Sequence, residues 1–254
     1  MTFIDAIILG ILQGFTEFLP ISSSGHLVLG QHLLGIHIPG NTFEVAVHIG
    51  TLLSVVVVFW NDIISIVSSL QNRTTQKYVL AILIGTIPAV IIGLVFKEDI
   101  QSAFDNIRLV SGALMVTGII LILTRWTSGK IENITIWKGL WIGIAQAFAI
   151  IPGISRSGST ISIGLLMGLN PKQTARFSFL LAIPALAGAG LLTALDAMSS
   201  AESILPLSIL SAGFLSSFLV GWISLKWLLT LLRKGKFYWF GAYCLVLGFV
   251  TILF

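Results

Sequence analysis

Charge is what this chain has least of: only 9% of its 254 residues are Asp, Glu, Lys or Arg, against about 25% in an ordinary soluble domain. With 56% hydrophobic residues and a mean hydropathy of +1.01, that scarcity excludes a soluble globular domain and predicts an integral membrane protein. Cysteine is almost absent. Cys244 stands alone, which excludes an internal disulfide and a Cys-based metal site. The start of the chain lacks the basic run and small-residue cleavage site of a signal peptide, so Met1 onward is expected to stay in the mature protein. Polar and apolar residues do not alternate through the apolar runs. Those runs are continuous and approach the ~20 residues of a spanning helix, so an all-α helical bundle is expected rather than a closed barrel. The formal charge of +4 reads as loop lysines and arginines that orient the chain, with no nucleic-acid partner.

Polar residues are present in concentrated form at two places. Residues 13–26 read Gln13-Gly14-Phe15-Thr16-Glu17-Phe18-Leu19-Pro20-Ile21-Ser22-Ser23-Ser24-Gly25-His26. Residues 152–160 read Pro152-Gly153-Ile154-Ser155-Arg156-Ser157-Gly158-Ser159-Thr160. Each interrupts an apolar segment too short to cross a bilayer: 3–18 followed by 27–34, and 137–151 followed by 159–169. Proline ends the first helix, and hydroxyls stand where the next helix N-terminus needs a cap. Both stretches therefore predict re-entrant hairpins, whose irregular backbone is tolerated at membrane depth only beside protein or a water-filled cavity.

Six spans are expected around them, at about 42–60, 78–96, 107–125, 173–195, 207–230 and 237–254, joined by polar connectors at 61–77, 97–106 and 126–136. At a constant offset of 133 residues, Gly10 falls on Gly143, Ile11 on Ile144, Gln13 on Gln146 and Phe15 on Phe148. Ile21 likewise falls on Ile154, Ser22 on Ser155, Ser24 on Ser157 and Gly25 on Gly158. The chain thus reads as one integral membrane domain made of repeats at about 1–126 and 134–254. Three crossings per repeat place the second repeat upside down relative to the first, so its hairpin enters from the opposite face and meets its partner near the midplane. Arg73, Lys77, Lys130, Lys138, Lys172, Arg233, Lys234 and Lys236 fall on one side and Lys97 and Arg108 on the other. The first side is therefore the expected cytoplasmic one, with both termini and the first hairpin on the outer side.

The chemistry differs between the halves: Glu17 stands opposite Ile150, Ser23 opposite Arg156 and His26 opposite Ser159. An intramembrane charge is a functional-site hypothesis by default. A guanidinium among hydroxyls and helix N-terminal amides suits phosphate oxygens, so Arg156 is expected to bind phosphate; the alternative is a structural ion pair with Glu17. Ser22, Ser24, Ser155, Ser157 and Thr160, with Gly25 and Gly158, form the expected phosphate-facing set. Phosphoryl transfer also needs a nucleophile. Ser23 and His26 both qualify, and the spacing does not choose between them. Glu17, with Gln13 four residues earlier, has the oxygen ligands a hard divalent cation prefers, although Gln13 offers only a neutral carbonyl. Glu44 and His48 share a helix face, as a cavity lining or a local pair. His32 and His37 read as exposed hairpin-end residues, Arg176 as an anchor at the cytoplasmic end of its helix, Gly188-Ala189-Gly190 as a close-packing segment, and the tryptophans as an interfacial belt.

These two motifs resemble those of the undecaprenyl-diphosphate phosphatase family, the bacitracin-resistance type of bacterial membrane phosphatase. The likeness continues in Thr42-Phe43-Glu44-Val45 and from Arg176 to Pro184. The resemblance implies hydrolysis of undecaprenyl diphosphate to the monophosphate that carries cell-wall precursors, in the bacterial cytoplasmic membrane, from a site open to the outer face. It gives Glu17 and His26 the essential acid and histidine roles, Ser23 a nucleophile role and Arg156 the diphosphate. It also implies a divalent cation, Mg2+ or Ca2+, and a polyprenyl diphosphate partner within membrane lipids. Many members carry glutamate where this chain has Gln13. The rival reading of the same architecture is a polyprenyl-phosphate flippase or secondary transporter. The sequence leaves open self-association into a homo-oligomer.

Overall fold

A computed structural model describes residues 1–36, 42–127, 129–199 and 205–253, with side chains described outside 193–199; His37 lies outside the described residues. The described chain is helical, with α1 Phe3–Thr16, α2 Ser23–Leu33, α3 Thr42–Val58, α4 Trp60–Ser68, α5 Arg73–Val95, α6 Lys97–Phe104 and α7 Ile107–Leu123. The second half continues with α8 Ile136–Phe148, α9 Arg156–Leu166, α10 Pro171–Ser199, α11 Leu207–Arg233 and α12 Trp239–Thr251. Polar side chains start these helices as the sequence predicts. Thr2 and Asp5 form a reciprocal capping box on α1, Ser22 caps α2, Asn106 caps α7, Thr135 caps α8 and Ser155 caps α9.

Boundaries moved in two ways. α2 and α9 begin at Ser23 and Arg156, not at 27 and 159, because a hydroxyl at Ser22 or Ser155 satisfies the amide three residues on. The connectors at 61–77 and 97–106 are also largely helical: α3 turns by 65° into α4, and α6 occupies Lys97–Phe104. Among the described residues four helices are long and apolar enough to cross a membrane, five if the bent α3–α4 pair is one span. The sixth expected span, 237–254, contains a helix of only 13 residues, α12. The protein is an all-α, multi-pass membrane protein.

Glycine contacts fix the relative directions of the helices. Along α1, Gly10 lies on Gly213 and Gly14 on Ser217 and Gly221 of α11, so the two run parallel. Gly50 on Phe214 and the Ser54 hydroxyl on the Phe218 carbonyl make α3 parallel to α11 as well. In the same manner Gly139 on Ala81 and Gly143 on Gly85 make α8 parallel to α5. Tyr78 on Phe177 and Gly85 beside Leu181 align α10 with α5. The two sets oppose each other, because Phe59 meets Phe179 while Ile49 meets Gly190. α7 and α12 are antiparallel through Gly118 on Gly241 and Ser111 on Gly248. In the pairs α1–α8, α3–α10, α5–α11 and α7–α12 the first-half helix therefore opposes its counterpart 133 residues on, which is an inverted repeat. Small residues let these backbones approach, the usual means of helix association in lipid.

The halves are also interlocked, since α1 packs on α11 of the other repeat and α8 on α5. The main core gathers Phe18, Leu19 and Ile21 from the first hairpin with Val55, Leu121, Ile161, Phe179 and Leu225. Trp60, Trp126, Trp137, Trp227 and Trp239 are all exposed, at helix ends that these directions put on one side, as an interfacial belt requires. Gly188-Ala189-Gly190 is not the close-packing segment expected: a Cβ at Gly188 would meet nothing within 4 Å and one at Gly190 only Ile49, at 3.9 Å.

Candidate active site

The hairpin breaks meet tip to tip. Pro20 of the first lies against Gly158 of the second, the Ser157 hydroxyl donates to the Leu19 carbonyl at 3.3 Å, and the Gly153 amide donates to Ser24 Oγ at 3.4 Å. Each break uses an unusual backbone conformation, but at different places. In the first it is Ser22, a non-glycine residue at φ 68°, and in the second Gly153 at φ 96°. Gly153 has no alternative, since a Cβ there would stand 2.3 Å from the Val110 carbonyl oxygen.

Glu17 is the centre of the site. It follows the last turn of α1, is 6% exposed and uses both oxygens. Oε1 accepts from Arg156 Nη2 at 2.5 Å, while Oε2 accepts from Ser23 Oγ at 2.6 Å and from Gln13 Nε2 at 3.2 Å. His48 Nε2 stands 3.9 Å from the same Oε2. The ion pair weighed against phosphate binding is thus formed, yet it does not account for Arg156. The other guanidinium nitrogen, Nη1, is buried with no partner, and an unsatisfied buried donor costs about 1–3 kcal/mol, more when charged. The guanidinium is fixed against the Phe179 ring at 5.8 Å, with one end on Glu17 and the other free for an incoming anion. The N-terminal ends of α2 and α9 flank it, adding positive potential.

The other hydroxyls are distributed by role. Ser22, Ser155, Ser157 and Thr160 are buried and bonded within the hairpins. Ser22 and Ser155 cap the amides of Gly25 and Gly158, and Thr160 donates to the Arg156 carbonyl and pairs with Ser178. They shape the turns. Ser23, Ser24 and Arg156 are only partly buried and form the accessible face. His26 is not joined to Ser23; its ring bonds the Ser22 carbonyl and the Tyr243 phenol, each at 2.8 Å. His32 is exposed. Arg176 lies outside the site, pairing with Asp62 at 2.7 Å and covering the Tyr78 ring, which fastens α10 to the bend at α4.

Several site residues escaped the sequence reading. Thr117 donates to the Gly153 carbonyl at 3.1 Å and accepts the Ser155 amide at 3.0 Å, clamping the second break. Within the apolar run of α7 it has no distinguishing neighbour. Tyr243 likewise stands in the apolar run of α12 with no neighbour that marks it. Glu44 accepts from Gln31 Nε2 at 3.3 Å, and the Glu44 carbonyl accepts from His48 Nδ1 at 2.7 Å, a local helix contact, while only His48 of the two reaches Glu17. No cluster of three or more His, Cys, Asp or Glu residues exists among the described residues. The residues that could hold a cation are Glu17 with Gln13 Oε1, which is buried and unpartnered. A cation that keeps water and draws most of its ligands from a bound phosphate fits this; one needing an all-protein cage does not.

Fold and site together define a multi-pass membrane protein whose inverted repeats bring a carboxylate, a hydroxyl and a guanidinium from two broken helices to one place. Within that class the chain belongs to the bacitracin resistance protein BacA family, whose pattern matches residues 6–250. It is 41% identical over 273 residues to the undecaprenyl-diphosphatase of Desulforapulum autotrophicum, covering 100% of this chain and 98% of that one. It is 42% identical to the undecaprenyl-diphosphatases of Desulfosudis oleivorans and Halothermothrix orenii, with 97% and 98% of those chains covered.

Proposed function

We propose that this protein hydrolyses undecaprenyl diphosphate to undecaprenyl phosphate and inorganic phosphate, so recycling a lipid carrier of cell-wall synthesis and conferring bacitracin resistance. The observation that carries the reading is the Ser23–Glu17–Arg156 arrangement: a hydroxyl at 2.6 Å from a buried carboxylate that itself holds a guanidinium with a spare donor. Transport would need binding groups but no nucleophile. A hydroxyl seated on a carboxylate is a nucleophile with its proton acceptor in place. On this reading Ser23 Oγ attacks the terminal phosphorus, Glu17 takes the hydroxyl proton, and the lipid monophosphate leaves. Water then releases phosphate from Ser23. Arg156 binds the phosphate oxygens through Nη1 and stabilises the charge that builds on them. Glu17 and Gln13 Oε1 would hold a divalent cation, Mg2+ or Ca2+, which neutralises diphosphate charge when bound. His26 acts on the turn that carries Ser23.

The excess of lysine and arginine and the tryptophan belt share one side, which supports a bacterial cytoplasmic membrane location with that side inward and the first hairpin reached from outside. The test is phosphate release from undecaprenyl diphosphate by the purified protein in detergent, with and without chelator, for wild type and Arg156→Ala. Chelator-sensitive release by wild type alone is expected. A folded wild-type protein that binds the lipid and releases no phosphate would overturn the reading in favour of a flippase.

A further inference from the structure

Both ring nitrogens of His26 are engaged. Nδ1 lies 2.8 Å from the Ser22 carbonyl oxygen, and a carbonyl can only accept, so Nδ1 carries a proton. In the neutral ring Nε2 is then the acceptor, and Tyr243 Oη, also at 2.8 Å, is its donor. The two rings lie 5.8 Å apart with their planes within 13°. Ser22 is the one described non-glycine residue at positive φ, and the next residue is Ser23, whose hydroxyl sits on Glu17. The contacts therefore run in a line: the phenol holds the imidazole, the imidazole holds the carbonyl of the strained residue, and that residue sets the direction of Ser23.

Tyr243 comes from α12, the last helix of the second repeat, and its neighbour Cys244 donates to the Pro20 carbonyl at 3.6 Å. Consecutive side chains of α12 thus hold both ends of the first break. The second break is held by the last helix of the first repeat, through Thr117 of α7. Each repeat's final helix fixes the other repeat's hairpin, although the residues used are not at equivalent positions.

We infer that Tyr243 is a positioning residue of the proposed phosphatase site: by fixing the orientation of the His26 ring it locks the Ser22 turn that presents Ser23 to Glu17. The inference rests on the hydrolytic reading of the site. Its test is Tyr243→Phe, which keeps the stacked ring and removes only the donor. Phosphate release should fall about tenfold in kcat, the worth of one neutral hydrogen bond near its upper range, while KM stays within about twofold because no substrate contact is removed. In parallel, nitrogen NMR of histidine-labelled protein, assigned by loss of signal in His26→Asn, should show the Nδ1–H tautomer in both proteins, with the Nε2 resonance of wild type shifted by the phenol's hydrogen bond and that shift lost in Tyr243→Phe. An unchanged kcat, a loss appearing only in KM, or an Nε2 resonance that Tyr243→Phe leaves unaltered would each overturn the inference. If wild type releases no phosphate, the hydrolytic reading fails, while the Nε2 resonance still decides whether Tyr243 holds the His26 ring.

Discussion

The two hairpins have the same skeleton and opposite loads. Helix α2 spans Ser23–Leu33 and α9 spans Arg156–Leu166, equivalent to the residue, and both are capped by the serine just before them. Yet the first break carries Glu17 and Ser23, and the second carries Arg156. The two glutamines register that difference. Gln13 donates to Glu17, whereas its counterpart Gln146, facing a helix end with Ile150 in place of the acid, is 3% exposed and has neither polar side-chain atom bonded. The skeleton tolerates an idle glutamine; the site does not tolerate an idle carboxylate. Duplication supplied two equivalent turns, and the inverted arrangement faced them at one point, where an anionic half and a cationic half are worth more than two copies of either.

That contrast can be broken most severely at its acid. Glu17→Gln removes both the proton acceptor for Ser23 and the charge opposite Arg156, and should cost about 10³-fold or more in phosphate release. Ile150→Gln at the equivalent place should leave release near wild type. Arg156→Lys keeps the charge but loses the planar fork, and should cost about 10²-fold in kcat/KM in the same assay. Next comes the backbone. Gly153→Ala drives a Cβ into the Val110 carbonyl at positive φ and should destabilise the protein by about 2–3 kcal/mol, read from its thermal unfolding in detergent. The smallest effects separate the glutamines. Gln13→Leu should lower release about tenfold by removing one of the two donors to Glu17 Oε2, while Gln146→Leu, which removes two unsatisfied buried atoms, should shift stability by less than about 1 kcal/mol or raise it.

Much of this was legible in the chain itself. The scarcity of charge gave the membrane class, proline and serine runs gave the two breaks, and the 133-residue offset gave the repeat, because each rests on local chemistry or on self-comparison. Glu17, Ser23 and Arg156 stood out as polar groups in apolar surroundings, and they do converge. What stayed hidden was set by distant contacts. Nothing near Thr117 marks it as the clamp on Gly153, and nothing near Tyr243 points to a histidine more than two hundred positions away. The hydroxyls were over-read for a related reason. Composition counts them equally, but Ser157 and Thr160 are bonded to backbone carbonyls, and only packing distinguishes a turn-forming serine from a reactive one. The bend at α3–α4 was missed because Asn61 and Asp62 look like the start of a loop, while the Asp62–Arg176 pair lets the helix continue after turning.

The central claim is that Glu17 and Arg156, from different repeats, act on one phosphate as a unit. A double-mutant cycle on phosphate release tests it most directly, using Glu17→Gln, Arg156→Lys and the two combined. Groups that share one transition state are strongly non-additive, so the double variant should be scarcely slower than Glu17→Gln alone. If instead the two losses multiply, the residues work independently, and the single site formed by two hairpins is contradicted.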